Sequence, residues 1–137
     1  MNLKDLIAVS GMPGIYRMAA NRDNGMIIED LDSGKRRFAS TRKYQFTPLE
    51  SISIYTIDED EAAELKTIFR NMLSQITENP PVSLSSQPDE LRAYFTDILP
   101  VHDPDRVHIR DIKKMIKWFV FLNERDLLSL DTSDEEE

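Results

Sequence analysis

His102-Asp103-Pro104-Asp105, with His108 three residues further on, is the densest gathering of metal-ligand residue types in the chain. Imidazole and carboxylate together suit divalent ions, so a metal-dependent hydrolase at His102, Asp103, Asp105 and His108 is one reading. The spacing does not set two imidazoles on one helical face, however. A proline-containing Asp/Asp segment is also how chains build a turn. We expect a turn leading into a helix, with no metal or cofactor bound there. These are the only two histidines, cysteine is absent, and no serine stands in a nucleophile elbow. Ser–His–Asp and cysteine chemistry thus have no support, and no catalytic residue is assigned.

A second kind of chemistry lies in the cations. Lys35-Arg36-Arg37, followed by Arg42 and Lys43, is interleaved with Phe38, Tyr44 and Phe46. On a β-hairpin, cations track phosphates while rings stack on bases, which is how small barrels grip single-stranded nucleic acid. The plainer reading turns Phe38 and Phe46 inward and leaves the cations to solvate an exposed hairpin. A second cationic stripe follows nearer the C-terminus. At helical spacing, Ile109, Ile112, Met115, Ile116, Phe119, Val120 and Leu122 fill one arc. Arg110, Lys113, Lys114 and Lys117 fill a nearly opposite arc, with Phe121 inside it and Trp118 at its margin. That face would present cations and an aromatic to phosphate or to an acidic partner. Its plainer reading is a solvated face with a buried terminal aromatic patch.

Ser10-Gly11-Met12-Pro13-Gly14-Ile15-Tyr16 is the sharpest local signal. Met12 to Tyr16 resembles the opening of the GIY-YIG nucleases. Those enzymes need a second Tyr-Ile-Gly-like strand, then a catalytic Arg and a metal-binding Glu. Here the second strand reads Gly25-Met26-Ile27-Ile28-Glu29-Asp30, without the tyrosine or the following glycine. The segment is therefore read as a corner. Pro13 fixes φ and Gly14 frees it, which sets the angle into a first strand.

The elements that must position these residues divide the chain. Residues 1–56 carry a net charge of +2 and all four glycines, whereas residues 57–137 carry −10. A short helix, or a brief strand over Leu6–Val9, comes first. Strands follow over Gly14–Ala20, Met26–Leu31 and Arg36–Ser40, the second reached through an Asn24-Gly25 turn of positive φ. Ser51–Thr56 alternates polar and apolar, as a half-buried strand does. Asp58 and Glu61 read as a capping box for a helix running to about Ile76. Pro- and Ser-rich sequence then marks a linker, and helices are expected over Pro88–Leu99 and Ile109–Asn123. The fold class expected is α+β: a small SH3-like β-barrel or twisted antiparallel sheet, followed by a helical C-terminal segment. The divisions are a β-rich domain over 1–56, a connecting helix over 57–78, a linker over 79–88 and a helical domain over 89–130. Residues 131–137 hold five acids and are expected to be a disordered acidic tail.

Composition narrows the classes further. A net charge of −8 argues against strong non-specific nucleic-acid binding, though not against a local basic patch. The absence of cysteine fits a reducing compartment. Met1 to Asp5 has no apolar signal region, and the longest apolar run, Trp118 to Leu122, is far short of a membrane span. A cytoplasmic protein is expected.

Three segments together carry a broader resemblance. They are Ser10-Gly11-x-Pro13-Gly14-x-Tyr16, then Ile52-Ser53-Ile54-Tyr55-Thr56, then Asp111-Ile112-Lys113-Lys114 with Trp118. They resemble an uncharacterised bacterial domain family. The resemblance implies a β-rich N-terminal domain, a helical C-terminal one, and no catalytic residue. The functional expectation is a non-enzymatic binding or adaptor protein with a protein partner. The alternative is a nucleic-acid-binding regulator using Lys35, Arg36, Arg37, Arg42, Lys43 and Tyr44. Arg110, Lys113, Lys114, Lys117 and Phe121 would be its second surface. Trp118, Phe119 and Phe121 would give a homo-oligomer an aromatic surface to cover.

Overall fold

A computed structural model of the 137-residue chain describes residues 1–130; the expected acidic tail lies outside the described residues. The described residues divide into two compact units, Leu3–Ile52 and a second made of Met1, Asn2 and the described residues from Ser53 onward.

The first unit is one antiparallel sheet. Its strands are β1 (Leu6–Val9), β2 (Ile15–Arg22), β3 (Gly25–Asp30), β4 (Arg36–Ser40) and β5 (Phe46–Pro48), in the order β4-β3-β2-β1-β5. A single 3-10 turn at Leu49–Ser51 ends the unit. The α+β class stands. Of the two sheet forms expected, the open one forms: β4 and β5 are separate edges, and among the described residues no pairing closes them into a barrel. Leu6–Val9 takes the strand alternative, because its neighbours β2 and β5 complete its ladder on both sides.

Alternation then sorts the side chains. Ile7 and Val9 on β1, Met26 and Ile28 on β3, and Ala39 on β4 are buried together. Met12, Tyr16, Met18, Tyr44 and Phe46 pack around them. At the corner before β2, Gly14 has φ +79°, a conformation that a side chain would strain. The Asn24-Gly25 expectation is corrected. Gly25 is not among the positive-φ glycines; it begins β3 opposite Arg22, and the turn is Asp23-Asn24.

The second unit begins with a hairpin, β6 (Ser53–Tyr55) with β7 (Ala62–Glu64). The strand expected over Ser51–Thr56 thus pairs forward, with β7, and the unit boundary falls at Ile52 instead of after residue 56. The expected Asp58/Glu61 capping box is part of this hairpin's loop. Glu61 sits at φ 63°, its N–H donates to Asp58 O, and the Thr56 hydroxyl donates to the Asp58 carboxylate at 2.6 Å.

Among the described residues three helices follow: α1 (Leu65–Ser74), α2 (Pro88–Ile98) and α3 (Ile109–Glu124). Each has one buried stripe, at the spacing that a 3.6-residue period dictates. Leu65, Ile68, Phe69 and Met72 form it on α1. Leu91, Tyr94, Phe95 and Ile98 form it on α2, and Ile112, Met115, Ile116, Phe119 and Leu122 on α3. Phe69 and Phe119 meet with ring centroids 5.9 Å apart. Burying each such side chain contributes about 1.5–3 kcal/mol, so the stripes dominate the unit's stability. Among the described residues, no helix is long and apolar enough to cross a membrane.

Candidate binding site on the basic hairpin

The β3–β4 hairpin owes its shape to Asp30. Its carboxylate accepts the N–H groups of Asp32 at 2.9 Å and Ser33 at 2.8 Å, folding the chain back into β4. The register then pairs Glu29 with Arg36, Ile28 with Arg37, Ile27 with Phe38 and Met26 with Ala39. Period-two alternation puts Arg37 on the face of Ile28 and Ala39, and puts Arg36 and Phe38 on the other.

These placements gather a site. A groove of about 320 Å³ has apolar walls from Met12, Tyr16 and Ile28 and a polar side from Asp30 and Ser33. Lys35, Arg36 and Arg37 complete its lining. Arg36 Nε donates to Glu29 Oε1 at 3.0 Å, so its charge is partly answered. Arg37 and Lys35 are exposed, and among the described residues no ion pair involves either. The groove therefore offers two free cations beside a phenol and apolar surface.

The other expected hairpin residues have different places. Arg42 and Lys43 are exposed in the turn before β5. Tyr44 and Phe46 are partly buried and pack against the sheet core. Phe38 does the reverse of the plainer expectation and is 44 % exposed. Met12, Tyr16, Asp30 and Ser33 were not legible as site residues. The signal for two of them was register: Tyr16 stands directly opposite Asp30 across β2 and β3.

On α3, Arg110, Lys113, Lys114 and Lys117 are all exposed, as the helical spacing predicts. Phe121 is partly buried and already has a cation on its ring. Arg125 lies over its ring, 3.6 Å from the centroid, and donates to the Phe121 carbonyl at 2.9 Å. Phe119 is in the core, so the aromatic surface expected for an oligomer is smaller than its sequence run suggests.

The histidines have structural roles. His102 is buried, edge-on to Phe95 at 4.9 Å. Its Nδ1 lies 2.8 Å from Leu99 O, which only accepts, and its Nε2 lies 3.2 Å from Arg92 Nη1, which only donates. The ring is thus the neutral tautomer with its proton on Nδ1. His108 is the N-cap of α3, where its N–H donates to Asp111 Oδ2 at 2.9 Å. Asp103 accepts from Arg106 Nε at 3.0 Å and from the Asp105 N–H at 2.9 Å. The Arg106 hydrogen bond, followed by that of Asp105, holds the Asp103 carboxyl below its ordinary range. The segment is the turn expected, and no group of three potential metal ligands forms among the described residues.

Comparison with known proteins places the two units. Residues 3–49 match the family described as Domain of unknown function (DUF5606), and residues 52–122 match Domain of unknown function (DUF6852). A solution NMR structure from Bacteroides vulgatus, a structural-genomics target, is similar over 99 % of this chain and 96 % of that one. The two share 30 % identity with a TM-score of 0.74. No curated protein matches the chain.

Proposed function

The chain belongs to the bacterial domain family of unknown function that joins DUF5606 to DUF6852, and we propose that it is a non-enzymatic binding or adaptor protein. Its ligand surface is the basic β3–β4 hairpin, and its ligand is an acidic protein segment. One observation carries this reading: Arg37, without an ion-pair partner among the described residues, faces a groove walled by Tyr16, Met12 and Ile28. A guanidinium beside apolar and phenolic surface suits carboxylates carried on a chain with apolar neighbours. Nucleic acid is the competing ligand. It fits less well, because Tyr44, Phe46 and Phe121 are each engaged within their own unit. We place the protein in the bacterial cytoplasm, in keeping with its lack of cysteine.

The test is fluorescence anisotropy on the full chain with two probes of equal charge, a glutamate-rich peptide and a single-stranded oligonucleotide. The peptide should bind more tightly, and Arg37→Glu should weaken it by about tenfold or more. Tighter binding of the oligonucleotide, or indifference to Arg37→Glu, would overturn the reading.

A further inference from the structure

The sheet of the first unit ends in two edges that offer different things. Along β4, the Asp30 N–H donates to Lys35 O at 2.9 Å, and the Thr41 N–H donates to Asn24 O at 3.0 Å. These two bonds fix the parity of the ladder: Lys35, Arg37, Ala39 and Thr41 turn their backbone groups toward β3. Arg36 and Phe38 turn theirs outward, where no other strand pairs with β4 among the described residues. Along β5, the Ser10 N–H donates to Gln45 O at 2.8 Å, so the outward positions are Phe46 and Pro48. Pro48 has no N–H, and β5 has only three residues. Proline and short length both blunt an edge, so β4 is the edge able to accept a strand.

Charge selects the occupant. Lys35, Arg36 and Arg37 lie on or beside β4; of the acids beside them, Glu29 pairs with Arg36, and the Asp30 carboxylate accepts the Asp32 and Ser33 N–H groups. A second copy adding edge to edge would set another β4, with its own Lys35, Arg36 and Arg37 and no carboxylate, along the same seam, which adds like charge. An extended acidic segment meets the opposite condition. Its alternate side chains would fall on the two faces, one row beside Arg37 and the other beside Arg36 and the exposed ring of Phe38.

We propose that β4 is a strand-addition site for an extended acidic segment of a partner protein. Carboxylates on one face of that segment meet Arg37, and an apolar residue on the other packs on Phe38. The main-chain hydrogen bonds are supplied by Arg36 and Phe38. This rests on the reading of the hairpin as a protein-binding surface and adds the mode of binding.

The experiment uses the full chain, labelled with nitrogen-15, and a capped octapeptide alternating glutamate and valine. Amide hydrogen exchange is read residue by residue with and without peptide. The amides of Arg36 and Phe38 should slow by about tenfold or more on saturation, while those of Arg37 and Ala39, already bonded to β3, change little. Phe38→Pro and Phe38→Ala both remove the ring, but only the proline removes the outward N–H. Phe38→Pro should bind about tenfold more weakly than Phe38→Ala. Binding that responds to Arg37→Glu without slowed exchange at Arg36 and Phe38 overturns strand addition and leaves the hairpin surface standing. Absence of any peptide binding overturns both.

Discussion

Gly25 lies beneath the ring of Phe38. A Cβ placed on Gly25 would stand 2.6 Å from Phe38 Cζ, and closer still to the carbonyl oxygen of Ala39. Phe38 pairs with Ile27 and Gly25 with Ser40, so the two are diagonal neighbours on one face of the hairpin. The ring covers the strand residue that lacks a side chain, and keeps its own outer surface free.

Gly25→Ala tests that packing. Phe38 can swing aside, but the Ala39 carbonyl is backbone and cannot. We expect a loss of about 2 kcal/mol, read as a lower urea midpoint at unchanged slope. An unchanged midpoint would mean that the strands are not as close as described.

His102 ties the segment after α2 together through two ring nitrogens and an edge contact with Phe95. Truncation removes the ring and leaves the Leu99 carbonyl and the inner side of Arg92 without that partner. His102→Ala should lower stability by about 3 kcal/mol. Added zinc should not raise the melting temperature of the wild-type protein. A rise that requires His102 would restore the metal reading.

Asp103 gives an acid limb to stability. The Arg106 hydrogen bond, then that of the Asp105 N–H, lowers its folded-state pKa below that of the unfolded chain. Its stabilisation is therefore complete above the unfolded value and is lost as pH falls through the folded one. Asp103→Asn should flatten the acid side of the stability profile. An identical profile in wild type and variant would contradict this.

Tyr94 does the opposite at high pH. Its hydroxyl is buried without a hydrogen-bond partner among the described residues, and burial pushes its pKa up to about 12 from 10.0. Stability should be intact below pH 10.0 and fall as pH rises toward about 12, because the unfolded chain ionises first. Tyr94→Phe should remove that fall and raise stability by about 1 kcal/mol at neutral pH. A destabilised Tyr94→Phe would reveal a partner for the hydroxyl.

Much of this was legible from local pattern. The stripe on α2, that on α3 apart from the exposed Val120, the cations along Arg110 to Lys117 and the Arg36–Ser40 strand follow directly from residue spacing. Pairing was not legible, because it depends on which segments meet. Asp58 and Glu61 satisfy a capping pattern, yet Tyr55 finds Ala62 and makes the same residues a hairpin loop. The groove was hidden for the same reason. Lys35 to Arg37 stood out by charge, but Tyr16 and Asp30 join them only through the β2–β3 register. Phe121 shows the converse: Arg125, four residues on, occupies a ring that spacing alone left free.

The central claim, that the basic hairpin holds a protein partner, is tested most directly by photocrosslinking in the native cell. A photoreactive residue is placed at Phe38 in one strain and at Lys114 in another, and each lysate is split with and without nuclease. The account predicts a discrete protein adduct from position 38 that survives nuclease and disappears with Arg37→Glu. Adducts from position 114 alone, or adducts abolished by nuclease, would contradict it.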